Sequence, residues 1–335
     1  MIKLDRKDRR ILYELELNAR ITESRLAKKT KLSREVVRYR LEKLEKLGVI
    51  RYYMALINTL NLGFLMFRTY YKFTNLTPAK EKEIIHYMQK KVNWITKVEG
   101  IWNLTTMSFS SSIFEYEKFL ADLKAKYGEY IQEYWVSTMT RLWHYKRGYL
   151  LDNKKGRSSL MMGERKKKTK LDKLDINILE ILLNNGRIKY IELAKKLKQH
   201  PKLIRDRVNK MICDEVIIGF TPFLDMNKLG MNYFKVHFKL KNYSPKKFNS
   251  LLKYAEHHPN IAYAVEAVGG ADYEIEVQVK NNKELYELIE DIKVKFSEII
   301  LDYYFMEYTE EYTLDYLPRE LLTAVNTRNP PTKFS

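Results

Sequence analysis

The sequence has very little cysteine and no long apolar run. Cys213 is the only cysteine among 335 residues, so it has no internal disulfide partner, and we expect an inert, half-buried thiol in a reducing cytoplasm. No stretch approaches the ~18 uninterrupted apolar residues of a membrane-spanning helix. The first residues, MIKLDRKDRRIL, are charged and lack the apolar centre of a secretory signal. We therefore expect a cytoplasmic protein with no membrane partner.

Motifs of cofactor-dependent enzymes are also missing. The chain has no cysteine–histidine metal pattern, phosphate-binding loop, dinucleotide fingerprint or nucleophile motif. We therefore expect no catalytic residues, no metal, no cofactor and no enzymatic activity.

Positive charge is in excess and unevenly distributed. The formal net charge is +19. Residues 1–151 contain 29 basic and 16 acidic side chains, residues 152–170 contain 8 and 2, and residues 171–335 contain 24 of each. The basic excess therefore belongs to the front half and to residues 152–170. Such a surplus attracts polyanions, so we expect a nucleic-acid partner and association with the nucleoid.

The chain repeats itself after 167 residues. LDRKDRRILYELELNARITESRLAKK at residues 4–29 aligns without a gap with LDKLDINILEILLNNGRIKYIELAKK at residues 171–196. Later matches include NLG at 61–63 with KLG at 228–230. The sequence therefore predicts two copies of one unit. The predicted segments are a first helix-turn-helix domain (1–57), a first effector domain (58–151), a flexible basic linker (152–170), a second helix-turn-helix domain (171–224), a second effector domain (225–320) and a flexible tail (321–335).

The first part of each copy has a helical spacing of apolar residues. Three helices are predicted, each after a capping side chain: 5–17 after Asp5, 22–30 after Thr22, and 34–47 between Ser33 and Gly48. The short connection between the second and third helices is typical of a helix-turn-helix. In the second copy Pro201 takes the first position of the third helix, where its missing N–H costs nothing.

The remainder of each copy alternates strands and helices. The first copy predicts a strand at 64–73, a helix at 78–91, strands at 94–100 and 102–109, a helix at 114–127 and a strand at 130–145. This β-α-β-β-α-β order is that of a ferredoxin-like sheet with both helices on one face. The fold class is therefore α+β, a tandem of winged helix-turn-helix and ferredoxin-like domains. We expect the free sheet faces to pack on each other as an intrachain pseudo-dimer, to which a homodimer of whole chains could be added.

The motifs of both copies resemble one known family. LDxxDxxIL, NARI or NGRI, RLA or ELA, and LSxxxVxxRxxxLxxxGVI together resemble the Lrp/AsnC regulators. The resemblance covers residues 3–151 and 171–317. It implies a DNA-binding helix-turn-helix domain and a ferredoxin-like effector domain that pairs through its sheet and senses a small molecule such as an amino acid.

The third helix carries the predicted DNA contacts. Arg34 and Arg38 lie opposite the apolar side chains of Val37, Leu41 and Leu44, and arginine suits bidentate contact with guanine in the major groove. The alternative is a solvated face of ion pairs with neighbouring acids. Arg40 falls closer to the buried edge of this helix. We expect its side chain both to support the fold and to contact a phosphate. The predicted DNA-contacting residues are Ser33, Arg34, Glu35, Arg38, Tyr39 and Arg40, with Lys202, Arg205 and Arg207 in the second copy.

The second helix-turn-helix differs from the first at several positions. Pro201 replaces an arginine, Asp206 adds a negative charge, and GVI becomes EVI at 215–217. This copy either reads a different half-site or serves mainly as scaffold. We therefore expect substitutions at Arg34 and Arg38 to weaken DNA binding more than substitutions at Lys202 and Arg205.

The resemblance also implies an effector site at the loop between the second and third sheet strands. The second copy has GGAD there, with Gly269 for close backbone approach and Asp272 to meet an ammonium group. The first copy has GIWN, with Gly100 and the uncharged Asn103. A hairpin without any ligand is the alternative.

Two other functions remain open at this point. One is an architectural DNA-binding protein with low sequence specificity, which the basic run Arg165–Lys168 suits. The other rests on a resemblance to siroheme decarboxylases, which share the two-part architecture and need histidine and arginine in the effector cleft. The strand WNLTTMSF resembles theirs but has no histidine. We expect His144 and His237, on predicted strands, to be packed residues.

Overall fold

The computed structural model describes residues 2–151, 158–163 and 169–326. The first copy begins with three helices and a strand, followed by the ferredoxin-like elements. Its helices are α1 (Arg6–Leu15), α2 (Glu23–Thr30), α3 (Arg34–Lys46), α4 (Pro78–Gln89) and α5 (Ile113–Tyr127), and its strands are β1 (Ile50–Ile57), β2 (Leu65–Phe73), β3 (Trp94–Gly100), β4 (Leu104–Ser110) and β5 (Ile131–Tyr145).

The second copy repeats this order after a short strand, β6 (Ser159–Gly163). Its helices are α6 (Lys173–Asn184), α7 (Tyr190–Leu197), α8 (Pro201–Cys213), the short α9 (Met226–Leu229), α10 (Pro245–His257) and α11 (Asn282–Lys295), and its strands are β7 (Ile217–Leu224), β8 (Asn232–Leu240), β9 (Ile261–Val268), β10 (Tyr273–Val279) and β11 (Ile300–Leu314). A last helix, α12 (Arg319–Asn326), follows. The predicted α+β tandem fold is confirmed.

The helix starts are set by local side chains. Asp5 accepts a hydrogen bond from the Asp8 backbone N–H at 2.8 Å, and Asp8 reciprocates. Asp172 and Asp175 form the same capping box at the start of α6. These bonds satisfy backbone donors that have no partner inside the helix, so the two copies begin in the same way because the same residues stand there.

The two helix-turn-helix domains form one unit through a two-stranded ribbon. Strands β1 and β7 pair antiparallel. On either side of the ribbon, Arg20 donates to the Gly186 carbonyl at 2.8 Å and Arg187 donates to the Ala19 carbonyl at 2.6 Å. The two arginines are equivalent in the repeat, so the domains are related by a pseudo-two-fold axis.

The two ferredoxin-like sheets close into an eight-stranded barrel. The strand order is β2-β4-β3-β11-β8-β10-β9-β5, and β5 also pairs with β2. Closure depends on the long last strand of each copy, since β5 pairs with its own β2 in its first half and with β9 of the other copy in its second half. Likewise β11 pairs first with β8 and then with β3. Strands of both copies thus form one barrel within the chain, and the sharing of β5 and β11 between the two sheets was not predicted.

The structure differs from the sequence prediction in the linker, in the C-terminal tail and at Cys213. Residues 159–163 of the predicted linker form β6, which extends the sheet beside β5 at Arg141–Tyr145. Residues 321–326 of the predicted flexible tail belong to α12. Cys213 is exposed, not half-buried, because it lies at the outer end of α8. Arg165–Lys168 lie outside the described residues. No helix in the described part of the chain is long and apolar enough to cross a membrane.

Candidate nucleic-acid interface

Helix α3 presents two arginines to solvent on one face. Val37, Leu41 and Leu44 are buried against the domain core, which turns Arg34 and Arg38 outward. Their side chains are 57% and 51% exposed, and both pair with Glu23 of α2, at 3.3 and 3.0 Å. Exposed pairs of this kind contribute little to stability. The Glu23 carboxylate orients the two guanidinium groups and leaves both of them exposed to solvent.

Arg40 has a different environment. Its Nη1 lies 2.7 Å from Asp5 and 2.6 Å from Asp8, and its side chain is only 16% exposed. Arg207 holds the equivalent place in the second copy, against Asp172 and Asp175. In both copies the arginine thus ties the third helix to the capping box of the first. Phosphate contact by Arg40 and Arg207 stays a prediction, in addition to this structural role.

The predicted residues Ser33, Glu35 and Tyr39 are exposed as well. Ser33 caps the helix, with its Oγ accepting from the Val36 N–H at 3.3 Å. The pKa of the Glu35 carboxyl is lowered by its own backbone N–H and by Ser33 at this helix start. Tyr39 is 67% exposed. A large exposed aromatic on a recognition face is available for contact with a partner.

The second module has a weaker positive face. Lys202 and Arg205 are exposed on α8, but Arg205 lies 3.5 Å from the carboxylate of Asp206. Glu23 is replaced in the repeat by Tyr190, whose ring packs 4.7 Å from the Arg20 guanidinium. Nothing equivalent to the Glu23 carboxylate therefore orients Lys202 and Arg205 from α7.

The predicted effector loops lie at the ends of the barrel strands. Asn103 Oδ1 accepts from the Phe73 N–H at 2.8 Å, and Asp272 Oδ2 accepts from the Leu240 N–H at 2.8 Å. Each side chain therefore binds the last backbone N–H of the adjacent strand in its own sheet, β2 or β8. Gly100 and Gly269 have φ values of +137° and +84°, which favour glycine. The first loop also borders an open cleft of about 480 Å³.

A buried charge cluster that sequence reasoning missed lies inside the barrel. Lys235 Nζ is 2.5 Å from Glu274 and 3.4 Å from Glu276, and Arg68 is 3.1 Å from Glu276. Burial opposes ionisation of Glu274, but the charge of Lys235 outweighs it and lowers the pKa to about 2. His237 beside Glu274 is neutral, because burial lowers its pKa to about 3.

This cluster is not symmetric. In the second copy Lys235 faces Glu276 across the β8–β10 pair. At the matching position of the β2–β4 pair, Arg68 faces Met107. Each copy therefore supplies a cation, whereas both carboxylates come from the second copy. The only hint in the sequence is acidic residues at alternate positions of an otherwise apolar strand, YEIEVQV.

Comparison with known proteins agrees with the repeat. A winged helix-turn-helix DNA-binding family matches residues 4–51 and again residues 171–218. The transcriptional regulator LrpC of Bacillus subtilis is 33% identical over 129 residues, which is 38% of this chain and 85% of that protein. The proline dehydrogenase transcriptional activator of Rhodobacter capsulatus is 33% identical over 125 residues, 36% of this chain and 79% of its own length.

One solved structure has the architecture of the whole tandem. The siroheme decarboxylase NirDL covers 96% of this chain and is itself covered to 99%, with a TM-score of 0.62 and 13% identity. At that identity the similarity concerns the fold alone. The regulators, in contrast, match at 33% identity over most of their own length and correspond to one copy of the repeat. The chain therefore belongs to the Lrp/AsnC family of DNA-binding transcriptional regulators and carries two units of that family in tandem.

Proposed function

We propose that this regulator binds specific duplex sites chiefly through α3 of its first module. The observation that carries the proposal is the pair Arg34 and Arg38, which are exposed one turn apart near the start of α3 and are oriented by one carboxylate, Glu23. The N-terminal half of a recognition helix reaches base edges in the major groove, and arginine is the side chain best suited to guanine there.

Double substitution Arg34→Ala and Arg38→Ala tests this proposal. Each lost base contact costs about 1–3 kcal/mol, so we expect at least a tenfold weaker affinity for a specific site in an electrophoretic mobility-shift titration. The matched control is Lys118→Ala with Lys283→Ala, which removes two exposed charges from the barrel helices. Unchanged affinity in the α3 variant, or an equal loss in the control, would contradict the proposal.

The two modules are proposed to contribute unequally. Because Pro201 stands where the first copy has Arg34, and α7 offers no counterpart of Glu23, Lys202→Ala with Arg205→Ala should weaken binding less than the α3 substitutions. The same titration compares the two double variants. Equal losses would show that both modules read DNA to the same extent.

We further propose an amino acid as effector at the loop of the second copy. Asp272 uses one carboxylate oxygen on the Leu240 N–H, and its negative charge suits an ammonium group. Calorimetric titration with the common amino acids should reveal one that binds the wild type and binds the Asp272→Asn variant at least tenfold more weakly. Asn103→Ala, at the uncharged loop, is the control. An amino acid that binds both variants equally would place the effector elsewhere.

An architectural role differs from specific regulation in a measurable way. Counterion release alone gives affinity that depends on salt and hardly on sequence. The ratio of affinities for a selected site and a shuffled duplex, measured at one salt concentration, separates the two functions. We expect a ratio of about a thousand or more for a specific regulator.

A further inference from the structure

A cavity of about 430 Å³ lies between the wing ribbon and the barrel. One wall is the ribbon, from Arg51 to Ile57 of β1 and from Ile218 to Leu224 of β7. The opposite wall is formed by barrel strands, including Arg68 of β2 and Gln278 of β10. The volume falls within the roughly 300–1,000 Å³ of small-molecule sites. It is distinct from the two loops at Gly100 and Gly269.

The walls are rich in soft and aromatic side chains. Thioethers adapt to irregular ligands, and aromatic rings offer stacking faces. The side chains of these two kinds are Met54, Met66, Met107, Met162, Met226, Met231, Trp94, Phe223, Tyr233, Tyr263, Tyr308 and Tyr316. A ligand that fills this space needs an apolar or aromatic body.

Two buried polar groups on the cavity wall are left without partners. Gln278 is fully buried; its Oε1 accepts from Arg147 at 2.9 Å and from Tyr149 at 2.8 Å, but its Nε2 donates to nothing in the described part of the chain. Thr221 is 4% exposed, and its hydroxyl likewise has no partner among the described residues. Buried polar atoms left in this way destabilise the protein, so a ligand that supplies acceptors to them is favoured.

Two of the acids around the cavity already have partners. Arg68 pairs with Glu276 at 3.1 Å, and Trp94 Nε1 donates to Glu311 at 3.0 Å. Arg51 is exposed at the rim and stacks 5.3 Å from the Phe223 ring. Three further acids line the cavity: Asp225, Glu307 and Glu310. The donors Gln278, Thr221 and Arg51 thus suit acceptor oxygens, whereas the acids disfavour more than one negative charge.

We propose that this cavity is a second small-molecule site, which takes an amphipathic organic acid with an aromatic or apolar body and a single anionic, oxygen-rich end. The body packs among the methionines and aromatic rings. The acid oxygens accept from Gln278, Thr221 and Arg51. Because the two halves contribute different residues to the walls, each chain holds one such site.

The position of the cavity couples it to DNA binding. A ligand there contacts the ribbon that joins the two helix-turn-helix domains and the barrel beneath it. It therefore favours whichever relative position of the two layers leaves room for it, and by linkage DNA and ligand alter each other's affinity by the same factor. This coupling rests on the proposed function, whereas binding at the cavity does not.

The test uses the full chain and the fluorescent probe 8-anilinonaphthalene-1-sulfonate, which has an aromatic body and one anionic end. We expect saturable binding of one probe per chain. Losing a hydrogen bond to a charged group costs about 1.5–3 kcal/mol, so Gln278→Ala and Thr221→Val should each weaken binding about tenfold or more. Gln132→Ala, an exposed amide on β5, is the matched control. Circular dichroism establishes that each variant is folded, and if Gln278→Ala unfolds, the near-isosteric Thr221→Val decides alone.

Each part of this experiment can overturn the proposal. No saturable binding, or equal binding by wild type and the folded variants, rules out the site. N-phenyl-1-naphthylamine has the same rings without the sulfonate, and it should bind about tenfold more weakly since the charge-assisted bonds are lost. Equal binding of both probes would rule out the anionic end. Because no DNA is present, failure here leaves the proposed DNA recognition unaffected, and a protein that binds the probe but no DNA refutes only the latter.

Discussion

At the residue scale, a single backbone position shows how the two copies have diverged. Gly48 ends the third helix of the first copy with φ +67°, and Glu215 stands in the same place in the second copy with φ +53°. Left-handed backbone costs a non-glycine residue about 1–2 kcal/mol. The missing glycine was visible in the sequence, but the chain keeps the left-handed turn there, so the strain falls on Glu215.

Glu215→Gly should therefore stabilise the protein. Removal of the left-handed penalty should raise the free energy of unfolding by about 1 kcal/mol. The converse change, Gly48→Ala, should destabilise, because alanine is strained at φ +67° and its Cβ would displace Lys228 Nζ from the Leu47 carbonyl. Urea unfolding of both variants measures the difference. A Glu215→Gly variant that is less stable than wild type would refute the account of this turn.

Because His237 is buried and neutral, we expect the folded protein to lose stability in mild acid. Its pKa is about 3 in the folded protein, below its ordinary value of 6.5, because burial disfavours the charged ring. As the pH falls below 6.5, the unfolded chain takes up a proton that the folded chain does not. The free energy of unfolding should fall by about 2 kcal/mol between pH 6.5 and 5 from this group alone.

The variant His237→Phe checks this assignment, since phenylalanine keeps a ring against Tyr304 and Tyr70. Urea unfolding at several pH values should show that the free energy of unfolding of the variant changes less between pH 6.5 and 5 than that of wild type. Glu274 contributes at lower pH: its pKa of about 2 lies below the ordinary 4.5, so its stabilisation is lost from pH 4.5 downward. Identical slopes in wild type and His237→Phe would assign the effect to other groups.

At the element scale, the buried cluster joins β2, β8 and β10 inside the barrel. Lys235 and Glu274 are essentially unexposed, so removing one partner leaves an uncompensated buried charge. Glu274→Leu should cost about 3–5 kcal/mol, whereas Glu274→Leu with Lys235→Met should recover much of that loss. Urea unfolding of the two single variants and the double variant gives the coupling energy.

An exposed ion pair is the control for this comparison of single and double variants. Glu290→Gln breaks the surface pair with Lys293 on α11 and should change stability by less than about 1 kcal/mol. If the double variant in the barrel is as unstable as the sum of its singles, Lys235 and Glu274 do not stabilise each other.

Most single elements could be predicted from the sequence, because their signals are local. Asp5, Thr22 and Ser33 cap the helices as predicted, since a capping side chain acts within three residues of its own position. The pairing of β5 with β9 could not be predicted, because it joins residues more than a hundred positions apart. For the same reason, the contacts of Arg20 and Arg187 across the ribbon are invisible locally, although both copies keep the arginine.

The candidate interface was predictable to a similar extent. Helical spacing correctly placed Val37, Leu41 and Leu44 in the core. Arg34 and Arg38 are exposed as expected, but they flank this apolar stripe and do not lie opposite it. The orienting role of Glu23 and the clamp of Arg40 by Asp5 and Asp8 depend on packing between helices, which spacing along one helix does not reveal.

At the scale of the whole molecule, the two halves are complementary. Pairing of two first effector domains would bring together two Arg68 side chains that face Met107 instead of a carboxylate, and pairing of two second domains would bury four glutamates against two lysines. Only a first domain with a second balances the charges. This asymmetry favours the pairing of unlike domains over the pairing of like ones.

Intrachain pairing has a simple thermodynamic consequence. If the barrel closes within one chain, its thermal midpoint should not depend on protein concentration, because unfolding then releases no subunit. Calorimetry over about a hundredfold range of concentration measures this directly. A midpoint that rises with concentration would show that a second chain completes the fold.

The central claim is that the α3 face of the first module recognises duplex DNA. Its most direct test is the affinity of wild type and the Arg34→Ala, Arg38→Ala variant for a selected site and a shuffled duplex, at one fixed salt concentration. We predict that the variant loses most of the wild-type preference for the selected site, while its affinity for the shuffled duplex falls far less. An unchanged preference in the variant would contradict the claim.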